Sequence, residues 1–201
     1  MVQILLDLGF KKSKNNRCVF RQRYADGKLG LIGLYVDDMI VLGDDGDWMS
    51  DIKMKINERV TIADKGTISY FLNLEICYLR ELGIMKISQR DYISQTLEAF
   101  GMLDCHTKRT PSPSGAELFD QIGEPLPDSS EYLSITGRLI YLSTHSRPDI
   151  KYIVSRLCQF GSKPTDHYLN IAKLVLRYLK TTIDFAIYYT ADGPLSIEVS
   201  Q

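Results

Sequence analysis

The first part of the chain alternates short apolar runs with turn-forming residues, a pattern typical of β-hairpins. An apolar stretch over residues 1–8 stops at Gly9, where a left-handed cap is favoured, so we expect this stretch to be the end of a helix. The next apolar runs predict three strands: Cys18–Tyr24, Leu29–Val36 and Met39–Leu42. Ala25–Lys28 has the composition of a hairpin turn, and these strands are therefore predicted to form one antiparallel sheet.

Two adjacent aspartates interrupt the apolar run LYVDDMIVL at 34–42. Successive side chains of a strand point to opposite faces, so only a turn lets neighbouring carboxylates serve one site. We therefore predict that Asp37 and Asp38 form the two-residue tip of a hairpin. Either this is an ordinary polar turn, or a cation binds there. Such turns usually contain a glycine for the positive φ angle, whereas Met39 follows here, which favours the cation.

Helical periodicity predicts a helix from Trp48 to Arg59, with Asp47 or Ser50 as its N-cap. A second hairpin is predicted from Tyr70–Leu79 and Ile84–Ser88.

Ser88 and Asp91 have the spacing of a capping box for a helix over 89–100, which Gly101 ends. The stretch 111–130 is rich in proline and acidic residues and has no apolar periodicity, so we expect a linker.

Three amphipathic helices are predicted downstream, over about 130–143, from Pro148 and from Pro164. Their inward positions are Tyr132, Ile135, Leu139 and Ile140; Ile150, Ile153, Val154 and Leu157; and Tyr168, Ile171, Ala172, Val175, Leu176 and Leu179. Phe185–Tyr189 and Leu195–Val199 read as a closing hairpin. The predicted fold class is α+β, an antiparallel sheet with packed helices followed by a mostly helical region.

Composition narrows the class of protein. The 201 residues are 44% hydrophobic and 24% charged, as in soluble globular proteins. Four cysteines without a C-x-x-C pair argue against a zinc site and a disulfide framework, and fit a reducing compartment. No apolar run approaches the roughly 18 residues of a membrane span, and no signal peptide is recognisable. We expect a soluble, intracellular protein without a membrane partner.

Charge is segregated along the chain although the net charge is only −1. Residues 11–23 hold six basic side chains and no acid, 29–52 hold six aspartates and no base, and 138–180 hold eight basic side chains. This pattern suits a polyanion and a cation bound at different places, and solvated faces are the alternative. Three of the basic residues share one face of the last helix, as a solvated stripe or as phosphate contacts: Lys173, Arg177 and Lys180.

The predicted elements and the sequence segments given below, in this order, resemble the reverse transcriptase of copia-type retrotransposons. A lone YxDD tetrapeptide is weak evidence, but several matched blocks at family-like separations are specific. The blocks are LGF at 8–10 with RCVF at 17–20, LYVDDMIVLGDD, YFLNLEI at 70–76 with GIMKISQRDYI at 83–93, FGMLDCHTKRTPSP, GRLIYLSTHSRPDI and KLVLRYLKTT.

The resemblance implies a catalytic role for the acidic hairpin. In this family, such aspartates hold two Mg²⁺ ions that align the primer 3′-hydroxyl with the α-phosphate of a dNTP. Asp37 would be a direct ligand and Asp38 a supporting carboxylate, with Tyr35 and Val36 bordering the primer terminus.

The resemblance also implies a turn that grips the primer backbone, formed by Phe71, Leu72 and Asn73. The family usually has glycine where Asn73 stands, and asparagine tolerates left-handed backbone fairly well. The implied partners are an RNA/DNA primer–template and dNTP. The implied locations are cytoplasmic virus-like particles and the nucleus.

The family supplies a third catalytic carboxylate from a strand well upstream, and nothing in the 36 residues before Asp37 resembles it. We therefore expect a piece of the polymerase that lacks the upstream palm and fingers and is inactive alone. Its predicted divisions are a partial palm over 1–88, a thumb-like helix over 89–110, a linker over 111–130 and a connection region over 131–201. Two alternatives remain open: a non-catalytic module that binds nucleic acid through 11–23 and 164–180, and a folded remnant without a partner.

Overall fold

The computed structural model describes residues 1–24, 27–43, 45–113 and 123–191 and the backbone of 198–199. Contacts divide the chain into two compact units, Met1–Ile68 and Ser69–Gln201, each with its own antiparallel sheet and helices. The predicted α+β class is confirmed. The four-part division into palm, thumb, linker and connection stays a prediction.

In its described residues the first unit forms a four-stranded sheet with two helices on one face. Its elements are α1 (Val2–Asp7), β1 (Lys11–Lys12), β2 (Val19–Arg23), β3 (Leu29–Tyr35), β4 (Asp38–Leu42) and α2 (Gly46–Asn57). The strands follow the order β1-β2-β3-β4, and all neighbours are antiparallel. The helices cover a core of Leu5, Phe10, Phe20, Ile32, Ile52 and Ile56. Gly9 has a φ of 87° and follows α1, as predicted.

Helix α2 begins earlier than predicted, because its cap is a different aspartate. The Asp45 side chain accepts hydrogen bonds from the backbone N–H groups of Asp47 at 2.9 Å and Trp48 at 3.2 Å. The predicted caps Asp47 and Ser50 are therefore wrong. Both lie inside the helix, and the Ser50 hydroxyl donates to the carbonyl of Gly46.

The second unit contains a five-stranded sheet and four helices among its described residues. Its elements are β5 (Tyr70–Phe71), β6 (Leu74–Leu79), β7 (Ile84–Ser88), α3 (Arg90–Ala99), α4 (Ser130–His145), α5 (Lys151–Gln159), α6 (Asp166–Thr181), β8 (Ile187–Thr190) and β9 (Glu198–Val199). Short 3-10 turns cover Arg80–Leu82 and Pro148–Ile150. The sheet order β5-β6-β7-β8-β9 places the C-terminal strands beside the second hairpin, with Ile87 opposite Ile187, a pairing that the sequence did not predict.

The helices of the second unit pack around one core that includes Tyr132, Leu139, Ile153 and Val175. The inward positions predicted for the second and third helices are all buried. On α4 the prediction for Ile140 is wrong, since that side chain is 44% exposed while Leu142 is fully buried. The buried stripe of α4 passes from Leu139 to Leu142 and leaves Ile140 beside it.

A neighbouring strand caps α3. The Glu75 carboxylate accepts hydrogen bonds from the Ser88 hydroxyl at 3.0 Å and from the backbone N–H of Asp91 at 2.7 Å. The capping box predicted from Ser88 and Asp91 is therefore wrong, although both residues belong to the real cap. Gly101, with a φ of 63°, follows the helix as predicted.

Some predictions fall outside the described residues. These are part of the Ala25–Lys28 turn, most of the Pro-rich stretch after Pro113, and the first residues of the last predicted strand together with the turn before it.

Candidate functional site

The acidic hairpin has a two-residue tip, but it is shifted by one position from the prediction. In the β3–β4 ladder Leu34 pairs with Met39 and Tyr35 pairs with Asp38. The tip is therefore Val36–Asp37, and Asp38 is the first residue of β4. The prediction of an Asp37–Asp38 tip is wrong by one residue because the sequence does not show on which side of the turn Val36 lies.

Val36 carries backbone strain at this tip. Its φ is +52°, in the left-handed region that a β-branched side chain rarely adopts. Glycine is preferred at such positions in two-residue hairpins, yet the valine side chain here is 87% exposed and gains little from burial. Strain of this kind concentrates at binding and catalytic sites.

Strand alternation places Asp38 on the sheet face opposite the helices. Phe20 and Ile32 pair with each other and point into the core, so Tyr35 and Asp38 lie on the other face. Tyr35 is 53% exposed, and both aspartates are exposed. The four predicted residues of the motif are thus brought together at one end of a rigid hairpin.

The sheet face opposite the helices, here called the open face, also carries three basic residues from the segment 11–23. Lys11 pairs with Arg21, and Arg23 lies two residues further along the same strand, so the three cations share this face and are all exposed. The face therefore has carboxylates at the hairpin end and cations on β1 and β2. This arrangement fits a polyanion lying across the sheet with its end near the aspartates.

The aspartates fit a magnesium site in part. Carboxylate oxygens are ligands that Mg²⁺ prefers, and exposed carboxylates leave room for the waters that this ion retains. Within the described portion of the chain, however, no three His, Cys, Asp or Glu side chains lie close enough to hold a metal together. The hairpin thus provides two carboxylates and the third is not among these residues.

The second predicted site is a tight turn between β5 and β6. Phe71 pairs with Leu74, which leaves Leu72 and Asn73 as a two-residue turn with φ angles of 50° and 57°. The Tyr70 hydroxyl donates to the Asn73 side-chain oxygen at 3.0 Å. The structure has a turn at Leu72–Asn73, and Asn73 adopts the left-handed backbone that glycine usually supplies. Its contact with a primer stays a prediction.

The three basic residues predicted on α6 lie partly buried on that helix. The Lys173 ammonium forms an ion pair with Glu131 at 2.7 Å, and the Lys180 ammonium donates to the carbonyl of Cys105 at 2.9 Å. Arg177 is also half-buried. A role for Lys173, Arg177 and Lys180 in phosphate binding stays a prediction, with two of the three already engaged by the protein.

Sequence reasoning missed the most buried charged side chain among the described residues of the second unit. Arg147 is 1% exposed and binds Asp149 through two hydrogen bonds of 3.0 and 2.7 Å. Its guanidinium also donates to the Thr182 carbonyl at 3.0 Å and lies 5.5 Å from the ring of Tyr178. The Tyr178 hydroxyl donates to Asp149, and burial, followed by this hydrogen bond, raises the pKa of Tyr178.

This network is structural. Arg147 belongs to the basic segment 138–180, but because it is buried and paired it is not available to bind a polyanion. The available signal was the acid two residues after the arginine in the sequence Arg-Pro-Asp, a spacing that permits a local ion pair.

Comparisons with known proteins find relatives over most of the chain. The family model described as reverse transcriptase (RNA-dependent DNA polymerase) matches residues 1–114. The retrovirus-related Pol polyprotein from transposon RE2 of Arabidopsis thaliana is 32% identical over 96% of this chain. An uncharacterised mitochondrial protein of the same plant is 34% identical over 82% of this chain and 67% of its own length. The Pol polyprotein from transposon TNT 1-94 of Nicotiana tabacum is 25% identical over 92% of this chain.

The chain spans only 13% of the length of the Arabidopsis polyprotein. No solved structure matches it significantly. None of the helices in the described ranges has the length and apolar character needed to cross a bilayer.

Proposed function

The chain belongs to the reverse transcriptase (RNA-dependent DNA polymerase) family, and from this membership we propose that it supplies the YxDD hairpin and a primer-gripping turn to a copia-type retrotransposon polymerase. The observation that carries the proposal is the exposed Asp37–Asp38 pair at the end of a rigid hairpin whose turn is strained at Val36. The parent reaction would be RNA-directed DNA synthesis on a primer–template with dNTP. The proposed location of the polymerase is inside the cell, in cytoplasmic virus-like particles and in the nucleus.

The residues of the hairpin would have distinct roles. Asp37, at the tip, would bind metal directly, and Asp38, on the open face of the sheet, would support it. Bound Mg²⁺ ions would lower the pKa of the attacking primer hydroxyl and neutralise charge on the triphosphate. Tyr35 and Val36 would border the primer end, and the paired strands would hold all four residues in place.

The basic residues of the open face would bind the sugar–phosphate backbone. Lys11, Arg21 and Arg23 are exposed and share one face with Asp38. Contacts of this type are sequence-independent and weaken as salt rises, because binding releases condensed counterions.

We propose that a polypeptide of these 201 residues does not polymerise DNA by itself. Two metal ions close together repel one another, and two carboxylates compensate this repulsion less well than three. The preceding palm and fingers of the polymerase would be the partner that supplies the third carboxylate.

The test is primer extension by the purified chain with primer–template, dNTP and magnesium, beside a primer–template binding assay over a series of salt concentrations. We expect binding that weakens steeply with salt and no extension. Robust extension would refute the requirement for a third carboxylate, and absent or salt-independent binding would refute the nucleic-acid face. Neither alternative, a non-catalytic module or a remnant without a partner, is favoured by the comparisons.

A further inference from the structure

The Leu72–Asn73 turn has left-handed backbone at both of its residues. Both φ angles are positive, 50° and 57°, and neither residue is glycine. Left-handed backbone costs roughly 1–2 kcal/mol per non-glycine residue, somewhat less for asparagine. A bulky leucine in this conformation persists only where the surrounding structure holds it.

A helix far along the chain contacts this turn. The hydroxyl of Tyr141, on α4, donates a hydrogen bond to the backbone carbonyl of Leu72. The ring of Tyr141 is itself held on two sides, edge-on to Tyr92 with ring centroids 5.1 Å apart and tilted against His145 at 4.2 Å. The hydroxyl is therefore aimed by packing and has little rotational freedom.

This hydrogen bond sets the orientation of one peptide plane. The carbonyl of Leu72 and the N–H of Asn73 belong to the same trans peptide, so they point in opposite directions. With the carbonyl directed at α4, the Asn73 N–H points away from that helix. Asn73 is exposed, and its N–H donates no turn or loop hydrogen bond among the described residues.

We propose that Tyr141 is a positioning residue that directs the Asn73 backbone N–H toward a phosphate oxygen of the primer strand. The inference rests on the proposed function, because it assumes that this turn contacts the primer. It adds a residue from α4 that touches no nucleic acid and acts only through the turn. A backbone N–H is a suitable donor to a phosphate in a contact that does not depend on base sequence.

The experiment compares the unaltered chain with Tyr141→Phe, which keeps the ring and removes the hydroxyl. Tyr152→Phe is the matched control, since that side chain is 58% exposed on α5. Two quantities are measured without and with nucleic acid respectively: hydrogen exchange at the hydrogen-bonded amides of the hairpin that contains the turn, and the Kd for a primer–template. The reporting amide is that of Ile76, which donates to the Ser69 carbonyl at 2.9 Å across this hairpin. We expect faster exchange there and a Kd about three- to tenfold higher in Tyr141→Phe, the usual range for one lost hydrogen bond, and no change in Tyr152→Phe.

A rescue variant separates positioning from general stability. Glycine adopts positive φ without steric cost, and Leu72 has the costlier positive φ of the two residues. Leu72→Gly added to Tyr141→Phe keeps the Tyr70–Asn73 hydrogen bond and should restore the turn and most of the lost affinity. A role of Tyr141 in helix packing alone predicts no such rescue.

Each outcome has a definite meaning. Faster exchange together with weaker, rescuable binding supports the proposal. Unchanged exchange at Ile76 overturns it, and so does faster exchange with unchanged Kd or without rescue. Failure of the unaltered chain to bind any primer–template overturns the proposed function and this inference with it. That failure is distinguishable because exchange at Ile76 is measured without nucleic acid.

Discussion

The Glu75 carboxylate caps a helix to which it does not belong, accepting the backbone N–H of Asp91 at 2.7 Å. Its second oxygen accepts the Ser88 hydroxyl, so one side chain on β6 ties the end of β7 to the start of α3. The hairpin that contains the Leu72–Asn73 turn is thereby fixed to the helical part of its unit.

Replacing Glu75 should destabilise the second unit. Glu75→Ala removes the carboxylate that accepts the backbone N–H of Asp91 and the hydroxyl of Ser88. Because both donors lose their acceptor, we expect the free energy of unfolding to fall by about 1–3 kcal/mol. Chemical denaturation measures the change. Glu81→Ala, an exposed acid in the nearby 3-10 turn, should have almost no effect, and equal losses in both variants would contradict the capping role.

Glycine at position 36 should stabilise the first unit. Val36→Gly relieves a positive φ, which costs about 1–3 kcal/mol in a β-branched residue, while glycine loses roughly 0.5–1 kcal/mol of backbone entropy. The expected net gain in the free energy of unfolding is about 1 kcal/mol. Val60→Gly, at an exposed valine without positive φ, should instead destabilise. The same sign in both variants would show that Val36 is unstrained.

Magnesium binding at the hairpin should depend on Asp37. Asp37→Asn removes half of the carboxylate charge at the site, so we expect Mg²⁺ affinity to fall at least tenfold, measured by titration calorimetry or by Fe²⁺-directed backbone cleavage near residues 36–38. Asp47→Asn, an exposed acid in the same unit, is the control. If the carboxylates only repel one another, Asp37→Asn will stabilise the fold slightly and metal binding will be absent in every variant.

The buried ion pair of the second unit should show strong coupling. Arg147→Met leaves Asp149 without its partner in a site that is mostly closed to water, and removing one member of a buried pair costs about 3–5 kcal/mol. The double variant Arg147→Met with Asp149→Asn should be less destabilised than the single one, because no unpaired charge remains. Additive losses in the two single variants would mean that the two side chains act independently.

The sequence was sufficient to predict the elements that depend on the pattern of neighbouring residues alone. Apolar runs bounded by turn residues predicted β2, β3, β4 and β7, and the 3.6-residue period predicted the buried faces of α5 and α6. These patterns work because a strand or helix that packs on one side must repeat its apolar residues with its own geometry.

The errors concern features that depend on distant parts of the chain. The cap of α3 comes from Glu75 on another strand, so the Ser88–Asp91 spacing gave a plausible but incorrect solution. The predicted position of the hairpin tip is wrong by one residue. The pairing of Tyr35 with Asp38 depends on the register of the two strands, and valine is an unusual turn residue, so the sequence alone does not indicate it. The burial of Arg147 depends on Thr182 and Tyr178, which lie more than thirty residues away along the chain.

The Ile87–Ile187 pairing has a consequence for biosynthesis. The middle strand of the second sheet is made early, yet its neighbour leaves the ribosome a hundred residues later. Until then, one edge of β7 has no β8 to cover it, and an uncovered edge can pair with other chains. Completion of this sheet must therefore wait until the last strands have been translated, and a nascent chain that stalls before them is exposed to aggregation.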